Sequence, residues 1–349
     1  MLETARLDPH PHSHALADAR GRVLHDLRIS VTDKCNFRCT YCMPEDRYPH
    51  DHEFLSRHDL LTFEEIARFT RLAIGMGVSK VRITGGEPLL RKNLPVLIEM
   101  LANLPGLGDL ALTTNGILLP RFAKSLRDAG LRRVTISLDT LDPAVFASMS
   151  GQSTGPDAVL AAIDHAAALG FAPIKINAVV QRGVNEDHVV DLAARFRGTG
   201  HIVRFIEYMD VGTCNGWTPD QVVPSRETLA RIHARFPVEP LDKNYHGEVA
   251  ERYRYTDGAG EIGFISSVSE PFCGACTRAR LSADGKVFLC LFAADGVDVR
   301  TALRNGATDA ELAALLEETW RKRDDRYSEL RATAARTPAG RVEMYHIGG

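Results

Sequence analysis

The chain predicts an α/β fold: a partial (β/α)6 barrel of the TIM type, with a C-terminal α+β extension closing the barrel mouth. Three observations predict it. Six short apolar-rich runs alternate with helical stretches between Leu27 and Met209, the pattern of βαβ units around a parallel sheet. Six units fall short of the eight that close a full barrel. After about residue 215 the texture changes, with Pro219, Pro224, Pro237 and Pro240 punctuating shorter, hairpin-type runs. The expected organisation is a flexible N-terminal tail over 1–20, a barrel over 21–215 and a C-terminal domain over 216–349.

The elements follow in order. In the tail, His10, His12 and His14 alternate with Pro and Ser, which reads as a solvated segment. LRISV at 27–31 is the first strand, and it leads directly into a loop carrying Cys35, Cys39 and Cys42. Thr62 with Glu65 forms a capping box that opens a helix running to about Met76. VRIT at 81–84 is the second strand, followed by Gly85-Gly86-Glu87-Pro88 and a helix over about 93–103. LALTTN at 110–115 is the third strand, before a helix from about Arg121 to Ala129. VTISLD at 134–139 precedes helical stretches to about Leu169, and IKINAVV at 174–180 precedes a helix over 186–197. IVRFIEYM at 202–209 is the sixth strand. Beyond it, YRYTD, EIGFISSV, ARLSAD and KVFLCLF read as short strands, with turns at Asp257-Gly258 and Asp284-Gly285. Thr308 and Glu311 make a second capping box, starting a helix to about Arg321. Polar residues stand at or just past the strand ends (Asp33, Gly86, Thr113, Ser137, Asp139, Asn177, Glu207), where such sheets build their sites.

Composition narrows the function classes. The 349 residues are 44% hydrophobic and 25% charged, with a formal net charge of −3, so a nucleic-acid coat or a polybasic membrane anchor is not expected. Any site for a polyanion must be a local cluster of Arg and Lys. No run of 18 apolar residues occurs, and the first twenty residues hold no apolar signal-peptide core. The expectation is a cytoplasmic protein with no membrane and no nucleic-acid partner. In that reducing compartment thiols serve as ligands rather than disulfides.

Six of the seven cysteines fall into two groups: Cys35, Cys39 and Cys42 as CxxxCxxC, and Cys273, Cys276 and Cys290 as CxxC, thirteen residues, then C. A closed zinc site wants four ligands, and no fourth thiol lies near the first triplet. Three thiolates on a four-iron cluster leave one iron open to hold another molecule. The second triplet alone admits two readings. It is a zinc site borrowing Cys214 or His246, or a second open iron–sulfur cluster. The two glycines before Glu87 let a ligand approach the backbone closely.

LRISVTDKCNFRCTYCMP, RITGGEPLLR, TTNG, ISLD, RFIEYMDVGTCNGW, PFCGACTRARLSADGKVFLCLFA and the terminal Gly-Gly together resemble one family: the GTP 3′,8-cyclases (the MoaA family), radical S-adenosylmethionine (SAM) enzymes of molybdenum cofactor biosynthesis. The resemblance runs from about Leu27 to Gly349. The CxxxCxxC element points only to the radical SAM superfamily; the second triplet, with Thr277-Arg278-Ala279-Arg280 inside it, and the Gly-Gly end narrow it further.

The resemblance implies two [4Fe–4S] clusters, one on Cys35, Cys39 and Cys42 and one on Cys273, Cys276 and Cys290, with SAM as the second cofactor. It implies SAM contacts from Tyr41, Gly86, Ser137 and Met209. For GTP it implies Arg28, Arg82, Thr113, Lys175, Arg278, Ala279 and Arg280, with Thr114 beside Thr113 leaving a one-residue ambiguity and Arg204 as a further candidate. The implied reaction is reductive cleavage of SAM to a 5′-deoxyadenosyl radical, which takes the 3′ hydrogen of GTP; C3′ then joins C8 of guanine. No side-chain acid or base is needed as a catalyst. The C-terminal Gly-Gly is expected to reach into the site. Partners implied are a low-potential electron donor such as flavodoxin or ferredoxin, a cyclic pyranopterin monophosphate synthase that takes the product, and a second copy of the chain in a homodimer. Two other readings are a radical SAM peptide-modifying enzyme with an auxiliary cluster and a two-cluster electron carrier. A carrier makes no 5′-deoxyadenosine, and a peptide-modifying enzyme makes it without isomerising GTP. The sequence assigns no role to Cys214.

Overall fold

In a computed structural model, residues 16–331 and 340–348 are described; His10, His12, His14 and Gly349 lie outside them. Six strands form the barrel: β1 (Asp26–Ser30), β2 (Lys80–Thr84), β3 (Asp109–Thr114), β4 (Arg133–Ser137), β5 (Lys175–Val180) and β6 (Ile202–Glu207). Each lies parallel to the next in chain order. Strand alternation sorts the side chains. Leu27, Ile29, Val81 and Ile83 join the core under the helices, while Arg28 and Arg82 between them line the interior cavity.

The helices begin where the capping chemistry dictates. The Thr62 hydroxyl accepts the Glu65 N–H and the Glu65 carboxylate accepts the Thr62 N–H, starting the helix Phe63–Gly75. Thr308 and Glu311 do the same for Asp309–Arg321. The helix expected over 186–197 begins only at Val189. The Asn185 amide explains the delay. It donates to the carbonyls of Asp139 and Val179 and accepts the Gln181 N–H, fixing a loop where a helix would otherwise start.

The C-terminal strands are β7 (Val238–Leu241), β8 (Glu251–Tyr255), β9 (Glu261–Ile265), β10 (Arg278–Leu281), β11 (Lys286–Phe288) and β12 (Val297–Asp298). They lengthen the barrel sheet at both edges. β9 runs parallel to β6 and β10 parallel to β1, with antiparallel neighbours outside them. The result is one open twelve-stranded sheet, ordered β12-β11-β10-β1-β2-β3-β4-β5-β6-β9-β8-β7. The ARLSAD run forms a strand only to Leu281, because Ser282 turns the chain: its N–H donates to the Lys286 carbonyl and Gly285 takes φ +81°. Of the segment read as an N-terminal tail, Leu16 and Asp18 are buried and Ala17 forms a bridge with Val23.

Candidate active site: two thiol triplets and a cationic cavity

Strand register brings three arginines abreast. Arg28 on β1 pairs with Arg280 on β10 and with Arg82 on β2. All three line one cavity with Lys80, Lys175, Arg204, Arg278 and Arg323, where the cations outnumber the carboxylates of Asp26, Glu248 and Asp325. Cys273, Cys276 and Cys290 line the same cavity, as does Met209 at the mouth. Ala279 does not present its side chain here; it faces the core while Arg278 and Arg280 on either side face the cavity.

Crowding of like charges sets the electrostatics. Burial, then repulsion from Arg280, Arg82 and Arg278, lowers the Arg28 pKa. Burial, then Arg204, Arg133, Arg82 and Lys80, brings Lys175 down to about 7. Burial brings Lys80 to about 8, though Asp26 lies 3.5 Å from its Nζ. A guanidinium keeps its proton even so, and lysine is the group that yields. The cavity wall therefore carries a surplus of positive charge.

The Thr113 and Thr114 hydroxyls part ways. Thr113 Oγ1 accepts from Arg82 at 3.3 Å, so it belongs with the cationic wall. Thr114 Oγ1 donates to Glu87 at 2.8 Å and is buried. Arg204 Nε donates to Asn177 Oδ1 at 3.0 Å, which fixes its fork in the cavity.

The first triplet sits in the loop after β1, pinned from several sides. Arg38 donates to the Cys35 carbonyl at 2.9 Å. Tyr41 donates its hydroxyl to Asp139 Oδ2 at 2.8 Å, just past the end of β4, and the same side chain lies beside the Cys39 thiol. The Gly86 N–H donates to the Thr32 carbonyl, and a Cβ at Gly86 would run into the Lys34 carbonyl. The close neighbour that requires glycine is therefore this chain's own cysteine loop. Ser137 closes β4 opposite Asn177 of β5. Burial and Glu87 push Cys35 up to about 12, and burial and neighbouring thiols raise Cys39 and Cys42.

The second triplet lies in a different field. Burial alone would raise Cys276, but Arg278 and Arg323 outweigh it and bring the thiol down to about 6; Arg278 Nη2 is 3.3 Å from its Sγ. Cys290, further from these charges, is raised by burial to about 11.

The C-terminal tail connects the two triplets. The Tyr345 backbone lies beside the Cys42 thiol, and three residues later the Gly348 carbonyl accepts from Arg280. A Cβ at Gly348 (φ +72°) would strike Thr84 at the end of β2. Glu343 accepts from the Thr213 N–H, the Thr213 hydroxyl and Cys214 Sγ at 3.0 Å, which gives Cys214 a tail contact the sequence did not suggest.

The donor sets fit iron–sulfur clusters. All seven cysteines are free thiols. Among the described residues no three His, Cys, Asp or Glu side chains converge tightly enough to share one metal ion, as a zinc centre would need. Three thiols grouped without a fourth suit a four-iron cluster that keeps one iron open. Sequence reasoning missed Lys80, Tyr245 and Arg323. Lys80 carried a signal, standing two residues before Arg82 on the same strand face. Tyr245, whose ring centroid is 4.4 Å from the Lys80 Nζ, lies in an irregular stretch with none.

The barrel with its three-thiol loop defines a radical SAM protein, and the comparisons agree. The family model described as "Radical SAM superfamily" matches residues 29–196, and "Molybdenum Cofactor Synthesis C" matches 201–329. A GTP 3′,8-cyclase of Xanthomonas campestris pv. campestris (strain 8004) is 56% identical over 334 residues, covering 96% of this chain and 97% of that one. One of Acidothermus cellulolyticus is 56% identical, covering 91% and 89%. One of Staphylococcus saprophyticus is 47% identical, covering 96% and 99%. The chain belongs to the GTP 3′,8-cyclase family.

Proposed function

We propose that the chain converts GTP to (8S)-3′,8-cyclo-7,8-dihydroguanosine 5′-triphosphate, the first step toward the molybdenum cofactor. The observation that carries this reading is the row Arg280–Arg28–Arg82 beside Cys273, Cys276 and Cys290 in one buried cavity of a slightly acidic protein. A triphosphate is the kind of ligand such a row neutralises, through bidentate arginine contacts.

Cys35, Cys39 and Cys42 would hold one [4Fe–4S] cluster, and Cys273, Cys276 and Cys290 a second. When bound, the first cluster would supply the reducing electron for cleavage of SAM, the source of the radical that takes the 3′ hydrogen of GTP, and the second would supply an open iron for the guanine. The chain's own groups bind and orient. Arg28, Arg82, Lys175, Arg278 and Arg280 offset the triphosphate charge, Thr113 adds a hydroxyl, and the Ala279 backbone keeps the two arginines of β10 in register. Tyr41, Gly86, Ser137 and Met209 form the seat for SAM along the strand ends. The tail, held by Arg280 and seated over β2, keeps water from the interior. A flavodoxin- or ferredoxin-type donor delivers one electron for SAM cleavage and a second that, with a proton, reduces the radical left when C3′ joins C8; a cyclic pyranopterin monophosphate synthase takes the product, and the working unit is a cytoplasmic homodimer. No helix among the described residues is long and apolar enough to cross a membrane.

The test is mass spectrometry after anaerobic reconstitution with iron and sulfide, reduction, and incubation with SAM and GTP. Equimolar 5′-deoxyadenosine and an isomer of GTP are expected. 5′-Deoxyadenosine without the isomer would favour a peptide-modifying enzyme, and neither product would favour an electron carrier.

A further inference from the structure

We infer that Asp18, Arg22 and Arg323 form a positioning assembly that sets the three cysteine segments of the second triplet in cluster-binding geometry. This rests on the reading that Cys273, Cys276 and Cys290 hold a cluster.

The second triplet has a difficulty the first does not. Its thiols come from a 3-10 turn at Cys273–Ala275, the residue after it, and a separate turn following β11. Something must hold two loops in one frame. Two buried guanidiniums do so through the backbone. Arg22 Nη1 donates to the Cys273 carbonyl at 2.9 Å and to the Asp325 carbonyl at 2.7 Å. Arg323 Nη1 donates to the Cys276 carbonyl at 2.7 Å, and its Nε donates to the Leu289 carbonyl, one residue before Cys290, at 3.1 Å. Every cysteine of the triplet thus has its own carbonyl, or its predecessor's, held by one of the two arginines.

Asp18 makes the pair tolerable. Its Oδ2 accepts from Arg22 Nε at 2.6 Å and from Arg323 Nη1 at 3.2 Å, and its Oδ1 accepts the Arg22 N–H at 2.9 Å. The Asp18 side chain is 0% exposed and both arginine side chains 2%. Two uncompensated buried cations side by side would not hold this arrangement. Trp320 completes the enclosure: its Nε1 donates to the Arg22 carbonyl at 3.1 Å, and the Arg323 guanidinium lies 4.6 Å from its ring centroid.

One atom points to what the assembly serves. Arg22 Nη2 is buried with no hydrogen-bond partner. A charged donor left bare in a protein interior is costly, and native structures rarely keep one. The same guanidinium already holds the Cys273 carbonyl at 2.9 Å, which places this charged donor directly behind the Cys273 segment. Groups behind metal ligands commonly shift metal affinity 10–100-fold when removed.

The competing view is that the ion pairs merely staple the N-terminal segment to the end of helix Asp309–Arg321. Arg20 separates the two. It pairs with Asp324 in the same staple, but at the surface, and touches no cysteine segment. The experiment compares wild type, Asp18→Asn, Arg323→Met and Arg20→Ala, each purified, checked for folding by circular dichroism and Tm, and reconstituted anaerobically. Iron and acid-labile sulfide per chain, paramagnetic resonance with and without GTP, and the rate of iron loss to a chelator are read. Wild type and Arg20→Ala are expected near eight irons, two four-iron clusters per chain. Asp18→Asn and Arg323→Met are expected near four, or to lose half their iron to chelator at least tenfold faster, while the SAM-sensitive signal persists and the GTP-sensitive one is lost. Retention of eight irons with wild-type chelator resistance in both variants overturns the proposal. So does equal loss of both clusters in step with Tm, or the same loss in Arg20→Ala. Wild type holding only four irons removes the two-cluster reading itself.

Discussion

GTP binding should take up protons, and Lys175 should be the main carrier. Free Lys175 sits near 7 because it is buried among Arg204, Arg133, Arg82 and Lys80. A triphosphate beside it returns it toward the ordinary lysine value of 10.5. At pH 8 the free side chain is then about one-tenth protonated and the bound one almost fully, an uptake of about 0.9 proton. Lys80, near 8 when free, adds up to about half a proton more at the same pH. The sign follows: GTP affinity falls as pH rises, by about tenfold per unit above pH 7.5 from Lys175 alone and more steeply with Lys80, where the terminal phosphate is already ionised. Stability of the ligand-free protein runs the other way. The unfolded chain binds the Lys175 proton up to 10.5 and the folded chain releases it near 7, so stability climbs with pH across that window. The assay is titration calorimetry at pH 8 in two buffers of different ionisation enthalpy, on wild type and Lys175→Met. Wild type should show more than 0.9 proton taken up and the variant about 0.9 less. Binding heats that do not depend on the buffer, or a variant with unchanged uptake, would refute the electrostatic account of the cavity.

Cys35→Ser should abolish 5′-deoxyadenosine formation, read by chromatography after reduction with SAM. Cys276→Ser should keep much of that cleavage and lose the GTP isomer; equal loss of both would count against separate roles for the two triplets. Arg280→Ala should weaken GTP by about 1.5–3 kcal/mol per lost charged hydrogen bond, with SAM affinity nearly unchanged in calorimetry. Glu207→Ala should cost about 2–4 kcal/mol in denaturant unfolding, because its buried carboxylate accepts three backbone N–H groups, from Ser225, Val268 and Ser269.

Much of the barrel was legible because its signals are local. Apolar alternation in VRIT and LRISV fixes which side chains face the helices, and Thr62 and Thr308 mark helix starts through hydrogen bonds that span three residues. Pairing between distant strands is not local. Nothing in EIGFISSV or ARLSAD says that one edge of the barrel will take β9 and the other β10, in parallel. The same limit governs the site. Arg28, Arg82 and Arg280 could be singled out by residue type and resemblance, but their alignment in a row is a matter of register. Asp18 was read as part of a tail because a lone acid among Ala and Arg has no periodicity; its burial comes from Arg323, three hundred residues away. Glu207 and Asp139 looked like site residues at strand ends, and their oxygens turn out to be occupied by the chain's own N–H groups and the Tyr41 hydroxyl.

The placement of β10 against β1 also bears on how the molecule is made. During synthesis β1 waits for a neighbour some 250 residues downstream in the register Asp26↔Arg278. Until that neighbour emerges, a nascent chain carries an open strand edge with a half-built arginine row behind it, a form prone to sticking to its own kind. Metal loading must respect the same calendar. The first cysteine loop is made well before the second, which has no frame until Arg323 has been synthesised. Truncations that stop short of Arg278 should therefore yield insoluble protein rather than a simpler enzyme with one cluster.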